Sequence, residues 1–133
     1  DQSQAVRLCV AENKNTTKFI LFCLAKDSFT SIRRAVAENK NTTADILEFL
    51  AKDKYEQVKV AAIKNKNTRE DTINILAQDT PYIRRIVAEN TTYVNVLQTL
   101  THDLNAYVRK AAKENLDAIN ISIQTTTSQL HNE

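Results

Sequence analysis

The chain has 133 residues, 42% of them hydrophobic and 26% charged, with a net charge of +2, no glycine, one proline and two cysteines. That is one domain's worth of chain whose Leu, Ile, Val and Ala suit packed helices, and the absence of glycine with only one proline argues against a barrel or sandwich. The mild charge gives no unaided reason to expect nucleic acid or membrane, no apolar run reaches bilayer-spanning length, and without glycine there is no phosphate-cradling loop.

From the first residue onward, one unit is written repeatedly. Its clearest copy is IRRAVAENKNTTADILEFLAKD (32–53). Aligned on their hydrophobic-basic pairs, the copies start at Val6, Ile32, Val58, Ile83 and Val108, in steps of 26, 26, 25 and 25. A fixed period in this range marks a stack of repeated supersecondary units. Each copy holds two helical patterns. The first has apolar residues at i, i+3 and i+4, as Ile32, Ala35 and Val36; the second has Ile46-Leu47 and Phe49-Leu50 about one turn apart. The boundaries fall near 1–26, 27–52, 53–78, 79–102 and 103–123, with a frayed tail over 124–133.

The junctions predict capping chemistry. An aspartate opens each copy (Asp1, Asp27, Asp53, Asp79, Asp103) and is expected to accept from first-turn N–H groups. Asp53 and Glu56 have capping-box-like spacing, and Pro81 sits just inside a helix start. An asparagine closes each first helix (Asn13, Asn39, Asn65, Asn90, Asn115). In a chain without glycine, it is the residue best able to take a left-handed C-cap. Thr16, Thr42, Thr68 and Thr91 are expected to cap the second helices.

Taken in order, the pattern V-R-x-A-V-A-x-N-x-N-T-x-x-x-[IL]-L-x-x-L-A-x-D resembles the leucine-rich repeat variant family, over essentially 1–115. Those repeats are similar to HEAT and armadillo units. The resemblance implies an all-α fold, an α-solenoid winding as a right-handed superhelix of about five two-helix repeats, with second helices short or partly 3-10. The period here is slightly longer than the family's usual one. The chain also lacks the cysteine cluster that carries an iron–sulfur centre in one member, so the resemblance implies a fold and no cofactor.

Column by column, Leu24, Leu50, Leu76 and Leu100, with Leu21, Leu47, Ile73 and Leu97, are expected to form the core. Cys9 and Cys23 fall on apolar columns and are expected as buried thiols, which favours a reducing, cytoplasmic compartment. Arg7, Arg33, Lys59, Arg84 and Arg109 each follow their copy's aspartate by five or six residues. An Asp–Arg ladder between copies is preferred to a phosphate-binding stripe. Asn15, Asn41 and Asn67 form another column, expected to bond their own turns.

The neighbouring column, Leu8, Arg34, Val60, Arg85 and Lys110, varies in a way that suggests solvent. Tyr82 and Tyr107 lie near its bases, so Arg34, Arg85, Lys110, Tyr82 and Tyr107 form the candidate binding set. Leu8 and Phe22 place apolar residues in columns that look solvent-facing elsewhere. They therefore suggest that missing repeats of a longer chain, or a second copy, pack on the N-terminal end. His102 and His131 are isolated, and no nucleophile–base or metal constellation is visible, so an enzyme is not expected. The expected function is a scaffold with an unidentified protein partner and no membrane. The alternatives are nucleic-acid binding through the basic and aromatic residues, or a spacer within a larger chain.

Overall fold

A computed structural model describes residues 3–132; Asp1, the first of the expected capping aspartates, lies outside them. Among the described residues there are nine α-helices and no strand, 3-10 segment or left-handed residue. The chain forms two compact units, Asp1–Leu76 and Ala77–Glu133.

The first unit holds three helix pairs: α1 (Gln4–Glu12) with α2 (Lys18–Leu24), α3 (Thr30–Glu38) with α4 (Ala44–Leu50), and α5 (Glu56–Lys64) with α6 (Glu70–Leu76). The apolar stripe of each first helix packs on its neighbour, α1 on α3 and α3 on α5, while the short helices pack against the first helices. Ile32, Val36, Leu47, Leu50 and Val58 have no exposure, and Leu21, Ala35 and Ala61 complete the layer. At seven residues each, α2, α4 and α6 are too short to persist alone and are held by packing. The second unit holds α7 (Pro81–Asn90), α8 (Val94–Leu100) and α9 (Ala106–His131). Both α7 and α8 pack on α9, and Ile83, Val87, Leu97 and Val108 are fully buried. Pro81 is the first residue of α7, where Thr80 caps the free Ile83 N–H at 3.3 Å.

The turns differ from the sequence expectation. The C-cap asparagines 13, 39 and 65 are extended, with φ near −70 to −80°. Their value lies in the side chain. Asn13 Oδ1 accepts from Asn15 N–H at 2.8 Å, and the same bond recurs at Asn39 and Asn65. Asn39 Nδ2 also donates to the Ala11 and Asn13 carbonyls at 2.8 and 3.0 Å. Asn65 does the same to Ala37 and Asn39, and Asn115 to Ala88 and Thr91. Asn41 and Asn67 likewise reach the preceding turn rather than their own: Asn41 to Lys14 and Thr16, Asn67 to Lys40 and Thr42. Helix-end carbonyls that lack an intrahelical partner are thus satisfied by the next copy.

The threonines are not N-caps of the second helices. Thr16, Thr42 and Thr68 are buried, and their hydroxyls donate back to the Val10, Val36 and Ala62 carbonyls at 2.5–2.6 Å. Thr91 is instead the C-cap of α7, its hydroxyl accepting from Tyr93 N–H. The opening aspartates precede the helices by two or three residues. Asp27, Asp53 and Asp103 accept from the N–H two residues on, and the N-caps are Phe29, Tyr55 and Asn105. Glu56 is the first residue of α5, so a capping box with Asp53 does not form.

Two further expectations are corrected. Residues 124–133 are not a frayed tail up to His131: α9 continues there as one helix, with every described residue from Asn120 onward exposed. Nothing in that stretch breaks a helix, and the Thr125, Thr126 and Thr127 hydroxyls each donate to the carbonyl four residues back at 3.0 Å. Cys9 and Cys23 are exposed. Cys23 belongs to a column whose other members, Phe49 and Ile75, are half exposed. Cys9 differs from its buried counterparts Ala35 and Ala61 because no described helix packs on its side of α1. The basis for expecting a reducing compartment goes with their burial.

Candidate functional site

The arginines of the basic column, Arg7, Arg33, Arg84 and Arg109, are committed to structure. Arg7 donates to Asp27 through Nε at 2.7 Å and Nη2 at 3.4 Å. Arg33 holds Asp53 in the same two-pronged way, and Arg84 holds Asp103. Arg33 and Arg84 also donate through Nη1 to the Asp27 and Asp79 carbonyls, so each ties its own copy's start to the next copy's aspartate. Phe29 and Tyr55 lie with their rings 5.6 and 5.8 Å from the Arg7 and Arg33 guanidinium carbons. These aromatic partners escaped the sequence reading; the signal was an aromatic two residues after each of two successive aspartates. Burial opposes the charge of Asp27 and Asp103. The guanidinium of Arg7 or Arg84 and the backbone N–H of Phe29 or Asn105 outweigh it, holding both carboxyls below the usual aspartate value. The hydrogen bond to Asp53 raises the pKa of Arg33 against the opposing effect of burial.

The candidate binding residues behave differently. Arg34 is exposed on α3 in the first unit; Arg85 and Tyr82 on α7 and Tyr107 and Lys110 on α9 are exposed in the second. Each base has a carboxylate one helical turn on: Arg34 with Glu38 at 2.7 Å, Arg85 with Glu89 at 2.8 Å, and Lys110 with Glu114 at 3.9 Å. Exposed pairs of this kind contribute about 0.3–0.5 kcal/mol each, so they barely steady the fold. They do set the charge pattern, which alternates in sign along the helix. In the second unit, Arg85, Glu89, Tyr107, Lys110, Glu114 and Asn115 line an open groove of about 530 Å³ between α7 and α9. The Arg85 guanidinium carbon stands 5.9 Å from the Tyr107 ring centre, close enough for a cation–π contact. Tyr82 is half exposed and does not line this groove.

Leu8 and Phe22 are better covered than their columns suggest. Leu8 packs against the core of the first unit and borders a groove with Arg34 and Glu38. Phe22 is half exposed, but the Lys26 ammonium sits 4.3 Å from its ring centre. Apolar surface at this end is open on both helices, at Val6 and Cys9 on α1 and at Phe19 and Phe22 on α2.

Among the described residues, no group of three or more His, Cys, Asp or Glu side chains is placed to hold a metal ion, and no helix is long and apolar enough to cross a membrane. Compared with protein-family models, curated proteins and solved structures, the chain matches none.

Proposed function

We propose that the chain is a non-catalytic scaffold of helical repeats, an α-solenoid similar to leucine-rich repeat variant and HEAT-like proteins, that binds another protein through the groove between α7 and α9 in its second unit. The recurrence of one inter-copy bonding scheme supports the repeat reading: Arg to the next aspartate, Asn to the preceding turn's carbonyls. The observation that carries the binding reading is the mixed charge of that groove. Arg85 and Lys110 each stand beside a glutamate, and Tyr107 lies near Arg85; Arg34 repeats the base–glutamate pairing in the first unit. A polyanion is attracted by unopposed positive charge. Alternating charge around an aromatic suits a protein surface, where Tyr and Arg supply most of the binding energy.

The test is site-specific photo-crosslinking from position 107 in an extract of the source cells. A discrete protein adduct is expected, lost when Arg85→Glu and Lys110→Glu are combined. Steeply salt-dependent binding of an oligonucleotide through the same residues, with no protein adduct, would replace this reading with the nucleic-acid one.

A further inference from the structure

The first unit carries a concavity whose positive charge is unopposed. Glu38, Lys40, Lys64, Asn65, Lys66 and Asn67 line a space of about 360 Å³ at the turns that follow α3 and α5. We propose that this concavity binds a phosphate monoester through the ammonium groups of Lys40, Lys64 and Lys66.

The repeat register sets the site apart. The residue before the closing asparagine is glutamate in four copies, Glu12, Glu38, Glu89 and Glu114, and lysine in the third, Lys64. One helical turn earlier, where Arg34, Arg85 and Lys110 stand, the third copy has Val60. The base–glutamate pair of α3, α7 and α9 is thus replaced on α5 by an apolar residue and a cation. Lys40, Lys64 and Lys66 are exposed and make no ion pair among the described residues. Glu38 is the single carboxylate of the lining, and Arg34 already holds it at 2.7 Å.

The turns are fixed before anything binds. Asn67 Nδ2 donates to the Lys40 and Thr42 carbonyls at 2.9 Å, and Asn65 Nδ2 to those of Ala37 and Asn39 at 2.8 and 3.0 Å. These bonds tie the Lys66 turn to the Lys40 turn and occupy the N–H groups of both amides. The lysine ammoniums remain as the donors of the lining. An ammonium acts as a point charge with rotatable donors, so the site reads the ligand's total charge more than its shape. A phosphate monoester carries about −1.5 to −2 at neutral pH, whereas a phosphodiester or a carboxylate carries a single charge. Three cations at one concavity repel one another, and the dianion relieves that repulsion most. No aromatic side chain lines the space, so a nucleic-acid strand would find no platform for its bases. The site shares no lining residue with the α7–α9 groove and stands or falls separately from it.

The experiment titrates the isotope-labelled full chain, at low salt, with glycerol phosphate, with a short blocked peptide carrying one phosphoserine, and with dimethyl phosphate as the diester. Saturable shifts at the Lys40, Lys64 and Lys66 side chains are expected, with weaker binding of dimethyl phosphate. Affinity for the monoesters should fall as pH is lowered through about 6, where they gain a second proton. Lys64→Glu installs the residue that the other four copies carry there, so the helix tolerates it. It should weaken binding by about tenfold, while Lys52→Glu, outside the lining, should not. Tighter binding of the peptide than of glycerol phosphate assigns the phosphate to a phosphorylated protein segment; equal or weaker binding assigns it to a small phosphomonoester. Shifts spread evenly over all lysines, a diester bound as well as the monoesters, or unchanged binding by Lys64→Glu overturns the proposal. A single-stranded oligonucleotide held more tightly than the peptide by the same lysines also overturns it.

Discussion

A single asparagine shows how context sets a residue's contribution. Asn39 is buried, accepts from Asn41 N–H and donates to two carbonyls of the preceding turn. Removing its amide leaves the Ala11 carbonyl and the Asn41 N–H without that partner, while the Asn13 carbonyl keeps the Thr16 N–H, and an unsatisfied buried group costs about 1–3 kcal/mol. Asn39→Ala should therefore lower stability in denaturant unfolding by about that amount, while Asn13→Ala, at an exposed site, should stay within about 0.5 kcal/mol. Equal losses would show that the bonds to the preceding turn contribute nothing. The aspartates supply a pH-dependent counterpart. Asp27 and Asp103 have folded pKa values below the ordinary 3.8. Their stabilisation is complete above that value and is lost as pH falls through the depressed folded value. The melting temperature should thus drop below about pH 4, and Asp27→Asn with Asp103→Asn should flatten the drop while lowering stability at neutral pH.

At the scale of the helix, burial separates what holds the fold from what is carried by it. Leu47 and Leu97 are the fully buried centres of α4 and α8. Truncating either to alanine should cost about 2–5 kcal/mol, with the spread set by how far the site collapses. The end of α9 is the opposite case. No described residue beyond Ala112 is buried, so removing residues 120–133 should reduce the helical circular-dichroism signal and leave the unfolding midpoint nearly unchanged. A large loss of midpoint would mean that this helix supports the core. The helices and the leucine columns were legible in the sequence because period 3.6 and repeated apolar letters report burial directly. The turn chemistry was less legible. Asn39 and Thr42 were visible as recurring letters, but local rules assign such residues to their own turn or the next helix. Their partners lie 26 to 28 residues away for Asn39 and six residues back for Thr42, distances those rules do not consider. Of the candidate site, the exposure of Arg34, Arg85 and Lys110 was readable from the variability of their column. Their pairing with Glu38, Glu89 and Glu114 was present as i, i+4 spacing, a spacing that permits an ion pair on a helix without requiring one.

At the scale of the molecule, each compact unit can be asked whether it stands alone. In Asp1–Leu76 the core cluster runs from Ala11 on α1 to Ala62 on α5. The ion pairs Arg7–Asp27 and Arg33–Asp53 close within it, as do both turn-to-turn asparagine bridges. One helix pair cannot bury its apolar face unaided, and roughly three stacked pairs are the least that usually can; this unit has three. Residues 1–76 expressed alone should therefore fold, giving a helical spectrum and a cooperative melt. Asn39→Ala should weaken this fragment by the same amount as the full chain, since every partner of Asn39 is retained. A shallow, non-cooperative melt of the fragment would place the source of its order outside the six helices, and the inter-copy bonds described above would then be a consequence of folding rather than its support.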